Sequence, residues 1–128
     1  FNKKTRYPVI DLMESQRAIK IKGGTMRLGA YDCEIKTGTK TYAAYRKKNI
    51  SERHRHRYEV NNRYRKALEK NGLIFSGINK ELGVVETIEI KDHPWYVASQ
   101  FHPELKSRVN KAHPLFREFI KAAVKISI

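Results

Sequence analysis

Apolar positions along the chain change period several times, and the changes mark many short elements rather than a few long ones. Residues 7–13 form a short apolar run introduced by Pro8, which predicts a buried strand. Gly23-Gly24 predicts a turn. Alternation through Met26, Leu28, Ala30 and Asp32 then predicts a strand over 25–35, with Gly29 permitting a bend or close approach. Thr37-Gly38-Thr39 punctuates its end, and 40–48, with Ala43, Ala44, Tyr42 and Tyr45, predicts a short helix. Residues 52–60 read as a strand. Asn61 and Asn62 are good helix caps, Tyr64, Ala67 and Leu68 follow at helical spacing, and Asn71-Gly72 is a stop signal.

Three strand candidates follow, 73–76, 84–90 and 95–101, separated by Gly77, Gly83 and Asp92-His93-Pro94, and they predict an antiparallel meander. His113-Pro114 opens a last helix, in which Leu115, Phe116, Phe119, Ile120 and Ala123 share one face. Mixed elements of this kind imply an α/β or α+β domain with helices covering at least one face of a sheet. The pattern does not dictate a topology.

Composition narrows the class. The 128 residues suit one domain or part of one, with no repeat, low-complexity tract or Pro/Ser-rich linker to mark a boundary. With 40% apolar and 31% charged residues, and no apolar run near the ~20 residues that span a bilayer, the chain reads as soluble and not as an integral membrane protein. The start Phe1-Asn2-Lys3-Lys4 carries neither an initiator methionine nor a secretory signal, so the chain is expected to begin inside a longer one. One cysteine, Cys33, rules out an internal disulfide framework and agrees with a reducing compartment, the cytoplasm by default. A net charge of +14 raises the prospect of nucleic-acid binding. The basic residues, however, are dispersed among positions that must pack, which favours a charged surface over a dedicated stripe.

The run Gln100-Phe101-His102-Pro103-Glu104 holds the main candidate chemistry. In an extended segment residues i and i+2 share a face, so His102 and Glu104 can converge while Pro103 fixes the angle between them. An imidazole steered by a carboxylate is what an adjacent nucleophile needs. The plain alternative is a strand entering a His-Pro turn, and His-Pro also occurs at 93 and 113. The second unusual run is Glu52-Arg53-His54-Arg55-His56-Arg57-Tyr58-Glu59-Val60-Asn61. In a strand it places Arg53, Arg55 and Arg57 on one face, able to hold a carboxylate or phosphate, and His54 and His56 on the other. A solvated basic strand is the alternative, and no third ligand accompanies the two histidines to make a metal site. Gly23 to Gly29 lacks both the P-loop and the dinucleotide-binding spacing. Cys33 sits within a predicted strand without the small-residue elbow that exposes a nucleophile, so it reads as a packed, inert thiol.

Together with Gly24-Thr25-Met26-Arg27-Leu28-Gly29, His93-Pro94-Trp95 and Pro114-Leu115-Phe116, these runs resemble the CTP synthase family, and within it the second half of the class I glutamine amidotransferase (glutaminase) domain. The Gln-Phe-His-Pro-Glu run is common across class I amidotransferases; the Arg/His run is more specific, and the likeness covers essentially the whole chain. The resemblance implies an α/β fold, a mixed sheet flanked by helices, of which 1–128 is the C-terminal portion. It implies that His102 is the triad base and acid, that Glu104 orients it, and that Arg57 holds the α-carboxylate of glutamine with Tyr58 beside it. A cysteine thiolate would attack the glutamine amide, His102 would protonate the departing ammonia, and water would release glutamate.

The nucleophile elbow, the oxyanion donors, an acidic residue for the glutamine amine and the synthetase domain are expected upstream. That synthetase domain would use ATP and magnesium to aminate UTP to CTP, with no cofactor in this segment. The chain alone is therefore expected to be inactive, its partners being glutamine, the remainder of the enzyme and the other subunits of a homo-oligomer. Two other readings are a different amidotransferase of the same class and, much less favoured, a basic RNA-binding module.

Overall fold

Glycine and proline punctuation cuts the chain into elements too short to stand alone, and a sheet joins them. The computed structural model describes residues 4–12 and 26–126. Five strands form one sheet: β2 (Arg27–Ile35), β3 (Asn49–His56), β5 (Leu73–Asn79), β6 (Val84–Ile90) and β7 (Val97–Ser99), in the order β3-β2-β5-β6-β7. Every described pair is antiparallel. The predicted meander is β5-β6-β7. A second, two-stranded sheet pairs β1 (Ile10–Leu12) with β4 (Tyr58–Val60). The turn expected at Gly23-Gly24 lies outside the described residues, as do Met13 and Thr25.

Helix α1 (Lys40–Tyr45) begins where Thr39 Oγ1 accepts the Tyr42 N–H at 3.1 Å. Its first amides are also held by Glu89 of β6: Lys40 N–H at 2.9 Å, Thr41 N–H at 2.7 Å and the Thr41 hydroxyl at 2.6 Å. A carboxylate at a helix N-terminus satisfies orphan donors and opposes the positive end of the dipole. Asn61 caps a single 3-10 turn (Asn62–Tyr64) that leads into α2 (Arg65–Lys70), and Gly72, at φ 90°, follows its end. Helix α3 (Pro114–Ile126) starts at proline, as predicted. The core beneath α1 and α3 joins Ala44, Phe101 and Leu115, with Tyr45, Ile50, Trp95 and Val97 against it. Each fully buried large side chain there contributes roughly 1.5–3 kcal/mol.

Four expectations change. The strand expected over 52–60 is two strands in different sheets, broken at Arg57, which belongs to neither. In β2 the alternation is present but its faces are reversed: Arg27, Cys33 and Ile35 are buried while Leu28, Ala30 and Asp32 are exposed. An arginine can occupy the inner face because two buried carboxylates neutralise it, so hydropathy assigned the wrong side. Strand β1 is not buried, since Ile10 is exposed and Asp11 and Leu12 only half-buried. Helix α3 turns Leu115 inward, yet Phe116, Phe119 and Ile120 are exposed. The helix docks instead through Leu115 and through the Arg117 guanidinium, which donates to the Ala44 carbonyl.

Candidate active site

Strand β7 ends at Ser99, and the chain passes through buried Phe101 into a short 3-10 turn, Pro103–Leu105. His102 is the last extended residue, with φ −104° and ψ 91°. Its Nδ1 lies 2.6 Å from Glu104 Oε1. The pair predicted from i, i+2 spacing therefore forms, although a proline-started turn builds it rather than a continuous strand. Bonding to a carboxylate makes Nδ1 the protonated nitrogen and leaves the lone pair on Nε2. Among the described residues, none bonds to Nε2. The bond to His102 holds the Glu104 carboxyl below the usual carboxylate range. Half-exposed His102 is fixed through its backbone, whose N–H donates to the Arg53 carbonyl of β3 at 2.8 Å.

Strand β3 delivers the second run. Glu52 and His54 point inward and are buried, while Arg53 and Arg55 are exposed. Arg57 sits at the bend between β3 and β4, half-buried, and its Nε is buried without a hydrogen-bond partner. The three arginines expected on one face thus separate: two on the strand's outer face, one at its turn. His54 and His56 hydrogen-bond to one another, Nδ1 to Nε2 at 2.9 Å. Among the described residues, no group of three or more His, Cys, Asp or Glu is placed to hold a metal ion. Cys33 is buried, and burial above all pushes its thiol up to about 12, so it is no thiolate at neutral pH.

A buried polar network lies behind these residues. Arg27 donates from Nη1 to Glu59 Oε1 at 3.0 Å and from Nη2 to Glu86 Oε1 at 2.6 Å. Glu86 Oε2 faces His54 Nε2 at 3.3 Å. His56 Nδ1 is 3.1 Å from both the Tyr58 carbonyl and Gln100 Nε2, and Gln100 Nε2 donates to that same carbonyl at 2.5 Å. Burial, reinforced by Arg27, lowers His54 to about 3 and His56 to about 4, so both rings are neutral. Burial pushes Glu86 up to about 7 against the pull of Arg27. Sequence reasoning missed Arg27, Glu86 and Gln100. Only the presence of Gln100 beside the His-Pro-Glu run and of Arg27 in the 24–29 run signalled any of them. A cavity of about 610 Å³ near β1 and β4, lined by residues such as Pro8, Asp11, Glu59 and Arg63, includes none of His102, Glu104 and Arg57.

The model of class I glutamine amidotransferases matches residues 5–122. The chain belongs to that family. It is 62% identical over 123 residues to the CTP synthase of Chlorobium phaeobacteroides, covering 96% of this chain and 22% of that protein. It is 59% identical over 125 residues to the CTP synthase of Chloroflexus aurantiacus, covering 98% and 23%. The solved glutaminase domain of Trypanosoma brucei CTPS with bound acivicin superposes with a TM-score of 0.89 at 34% identity, over 98% of this chain and 49% of that one. The fold is thus the α/β amidotransferase fold, a sheet with helices, as the CTPS glutaminase domain has it. The chain spans under a quarter of the length of the CTP synthases it matches. Among the described residues no helix is long and apolar enough to cross a membrane.

Proposed function

We propose that residues 1–128 form the C-terminal portion of the glutaminase domain of a CTP synthase, supplying His102 and Glu104 of a cysteine-histidine-glutamate triad and the site for the α-carboxylate of glutamine. The observation that carries this reading is the 2.6 Å bond from His102 Nδ1 to Glu104 Oε1, which leaves Nε2 as the basic nitrogen. The similarity to a glutaminase domain holding acivicin, a glutamine analogue, supports the choice of substrate.

The chemistry follows from these positions. Nε2 takes the proton of an approaching thiol, and the imidazolium so formed is stabilised by Glu104. The thiolate adds to the side-chain amide of glutamine; His102 returns the proton to the leaving nitrogen, and ammonia departs from a thioester. Water, deprotonated at the same Nε2, then releases glutamate. Cys33 cannot be that thiol, being buried and held protonated, so the nucleophile comes from outside this chain. Arg57 offers a guanidinium whose buried Nε awaits an acceptor, and it binds the α-carboxylate, with Tyr58 as its neighbour. Ammonia would pass to a synthetase portion, whose residues outside this chain would hold ATP and magnesium to supply the activation of UTP for amination to CTP. The complete enzyme is a homo-oligomer and cytoplasmic.

Arg57→Ala in the full-length protein should raise the KM for glutamine by about 10–100-fold and spare CTP formation from free ammonia. Equal loss of both activities would overturn the assignment of Arg57. The 128-residue chain by itself should release no glutamate from glutamine; measurable release would overturn the need for an outside thiol.

A further inference from the structure

Arg57 belongs to neither β3 nor β4, so something other than a strand ladder must fix it. The carbonyl next to it, that of Tyr58, is held from two sides. Gln100 Nε2 donates to it at 2.5 Å, and His56 Nδ1 lies 3.1 Å away. Gln100 is itself anchored, its backbone N–H donating to the Glu86 carbonyl at 2.8 Å. Two residues on, the His102 N–H bonds to the Arg53 carbonyl at 2.8 Å. The three residues 100–102 therefore tie the strand end bearing the catalytic imidazole to both ends of the run bearing Arg57.

A single proton arrangement satisfies this chain of groups. Tyr58 O can only accept, so the amide nitrogen of Gln100 must face it. His56 Nδ1 also faces that carbonyl, at 3.1 Å, so it is the protonated nitrogen of its ring and donates there. His56 Nε2 then accepts from His54 Nδ1–H at 2.9 Å, which leaves the His54 lone pair on Nε2, opposite Glu86 Oε2. Glu86 Oε1 is bound by Arg27, and so is Glu59 Oε1, the remaining charged atom near His56 Nδ1, at 3.4 Å. With the opposite tautomers, the His56 Nδ1 lone pair would face the Tyr58 carbonyl oxygen. The Tyr58 carbonyl thus sets the orientation of the Gln100 amide and the tautomer of His56, and His56 sets that of His54.

We propose that Gln100 is a positioning residue for glutamine binding: its carboxamide, beside the His56 imidazole, locks the Tyr58 carbonyl, and with it the Arg57 bend, to the strand end that carries His102. This rests on Arg57 being the site of the glutamine α-carboxylate. A group that places a binding residue contributes equally to ground and transition state, so its loss appears in KM and not in kcat.

The test uses the full-length protein with Gln100→Met, which keeps the length and loses the donor, and Gln100→Asn, which keeps the amide but withdraws it by one methylene. Both should raise the KM for glutamine about 10-fold or more, leave glutamine-dependent kcat within about threefold, and leave ammonia-dependent CTP formation unchanged. Should Gln100→Met fail to fold, Gln100→Asn decides alone. An unchanged KM in the folded Gln100 variants, beside a raised KM in Arg57→Ala, would overturn the positioning role while leaving the carboxylate site intact. Parallel loss of glutamine and ammonia activities would also overturn it, as a merely structural effect. An unchanged KM in Arg57→Ala would overturn the carboxylate assignment, and this role with it.

Discussion

Gly77 is where the sheet is least able to accept an added atom. It lies in β5 between two irregularities of the β5–β6 register, and a Cβ built on it would come within 2.4 Å of Thr87 Oγ1 and 2.7 Å of Cys33 Sγ. Neither neighbour can retreat cheaply, because Thr87 and Cys33 are each 1% exposed. Thr87 Oγ1 also shares a hydrogen bond of 2.9 Å with Ser76 Oγ, which in turn meets Thr41 Oγ1 at 3.0 Å. Gly77→Ala must therefore shift a buried polar chain as well as overfill the space. Overpacking costs about 1–3 kcal/mol and a disturbed buried hydrogen bond about 1 kcal/mol more. The lower entropy of alanine in the unfolded chain offsets about 0.4–1 kcal/mol of this.

A net destabilisation of about 2–3 kcal/mol follows. It is measured by urea unfolding of wild type, Gly77→Ala, Thr87→Ala and the double variant, with the fluorescence of Trp95 as probe. Because removing Oγ1 abolishes the shorter contact, the double variant should be more stable than the sum of the singles by about 1 kcal/mol or more. Strict additivity, or a single-variant effect below about 0.5 kcal/mol, would show that the packing at this bulge is not what keeps glycine there.

Two further outcomes test the site and its support. Glu104→Gln removes the charge that stabilises the His102 imidazolium, so glutamine-dependent kcat should fall by about 10²–10⁴-fold while ammonia-dependent synthesis persists; a kcat within twofold of wild type would remove Glu104 from the triad. Glu86 has its folded value raised from 4.5 to about 7, so the native state holds a proton that the unfolded chain has released between those values. That contribution to stability is complete below pH 4.5 and is lost as pH rises to about 7. Glu86→Gln abolishes it, so through this window the variant's unfolding free energy should change with pH more positively than that of wild type, by up to one proton or about 1.4 kcal/mol per pH unit. Parallel curves in denaturant titrations at pH 5, 6 and 7 would refute the assignment.

Punctuation made much of the fold legible. Asn71-Gly72, Gly83 and Pro114 each end or begin an element where expected, because positive φ and the missing proline N–H leave few alternatives. The break at Arg57 was illegible for the converse reason: its neighbours continue a regular alternation, and only pairing with β1 in another sheet divides the strand. The exposed Phe116, Phe119 and Ile120 show the same limit, since an apolar helix face indicates that burial is favourable without naming the surface that provides it. At the site, the His102–Glu104 pair was legible because its two members are adjacent in sequence. Gln100, His56 and Glu86 were not, since the chain joining them depends on three strands meeting in space.

The same distinction explains what the net charge means. Glu52, Glu59, Glu86 and Glu89 are buried, whereas Arg27 is the one buried lysine or arginine among the described residues. Those glutamates each hold something the fold requires: the Tyr45 hydroxyl and His113 Nε2 on Glu52, the Arg27 guanidinium on Glu59 and Glu86, and the start of α1 on Glu89. The acids withdrawn into the interior leave the surface more basic than the formal +14 suggests. Dispersed lysines and arginines in the sequence are thus the visible part of a charge balance whose negative members are structural. A positive surface of this kind favours anionic ligands of any class. It needs no stripe of basic residues to do so, and this is why a charge that first raised nucleic-acid binding fits a carboxylate site equally well.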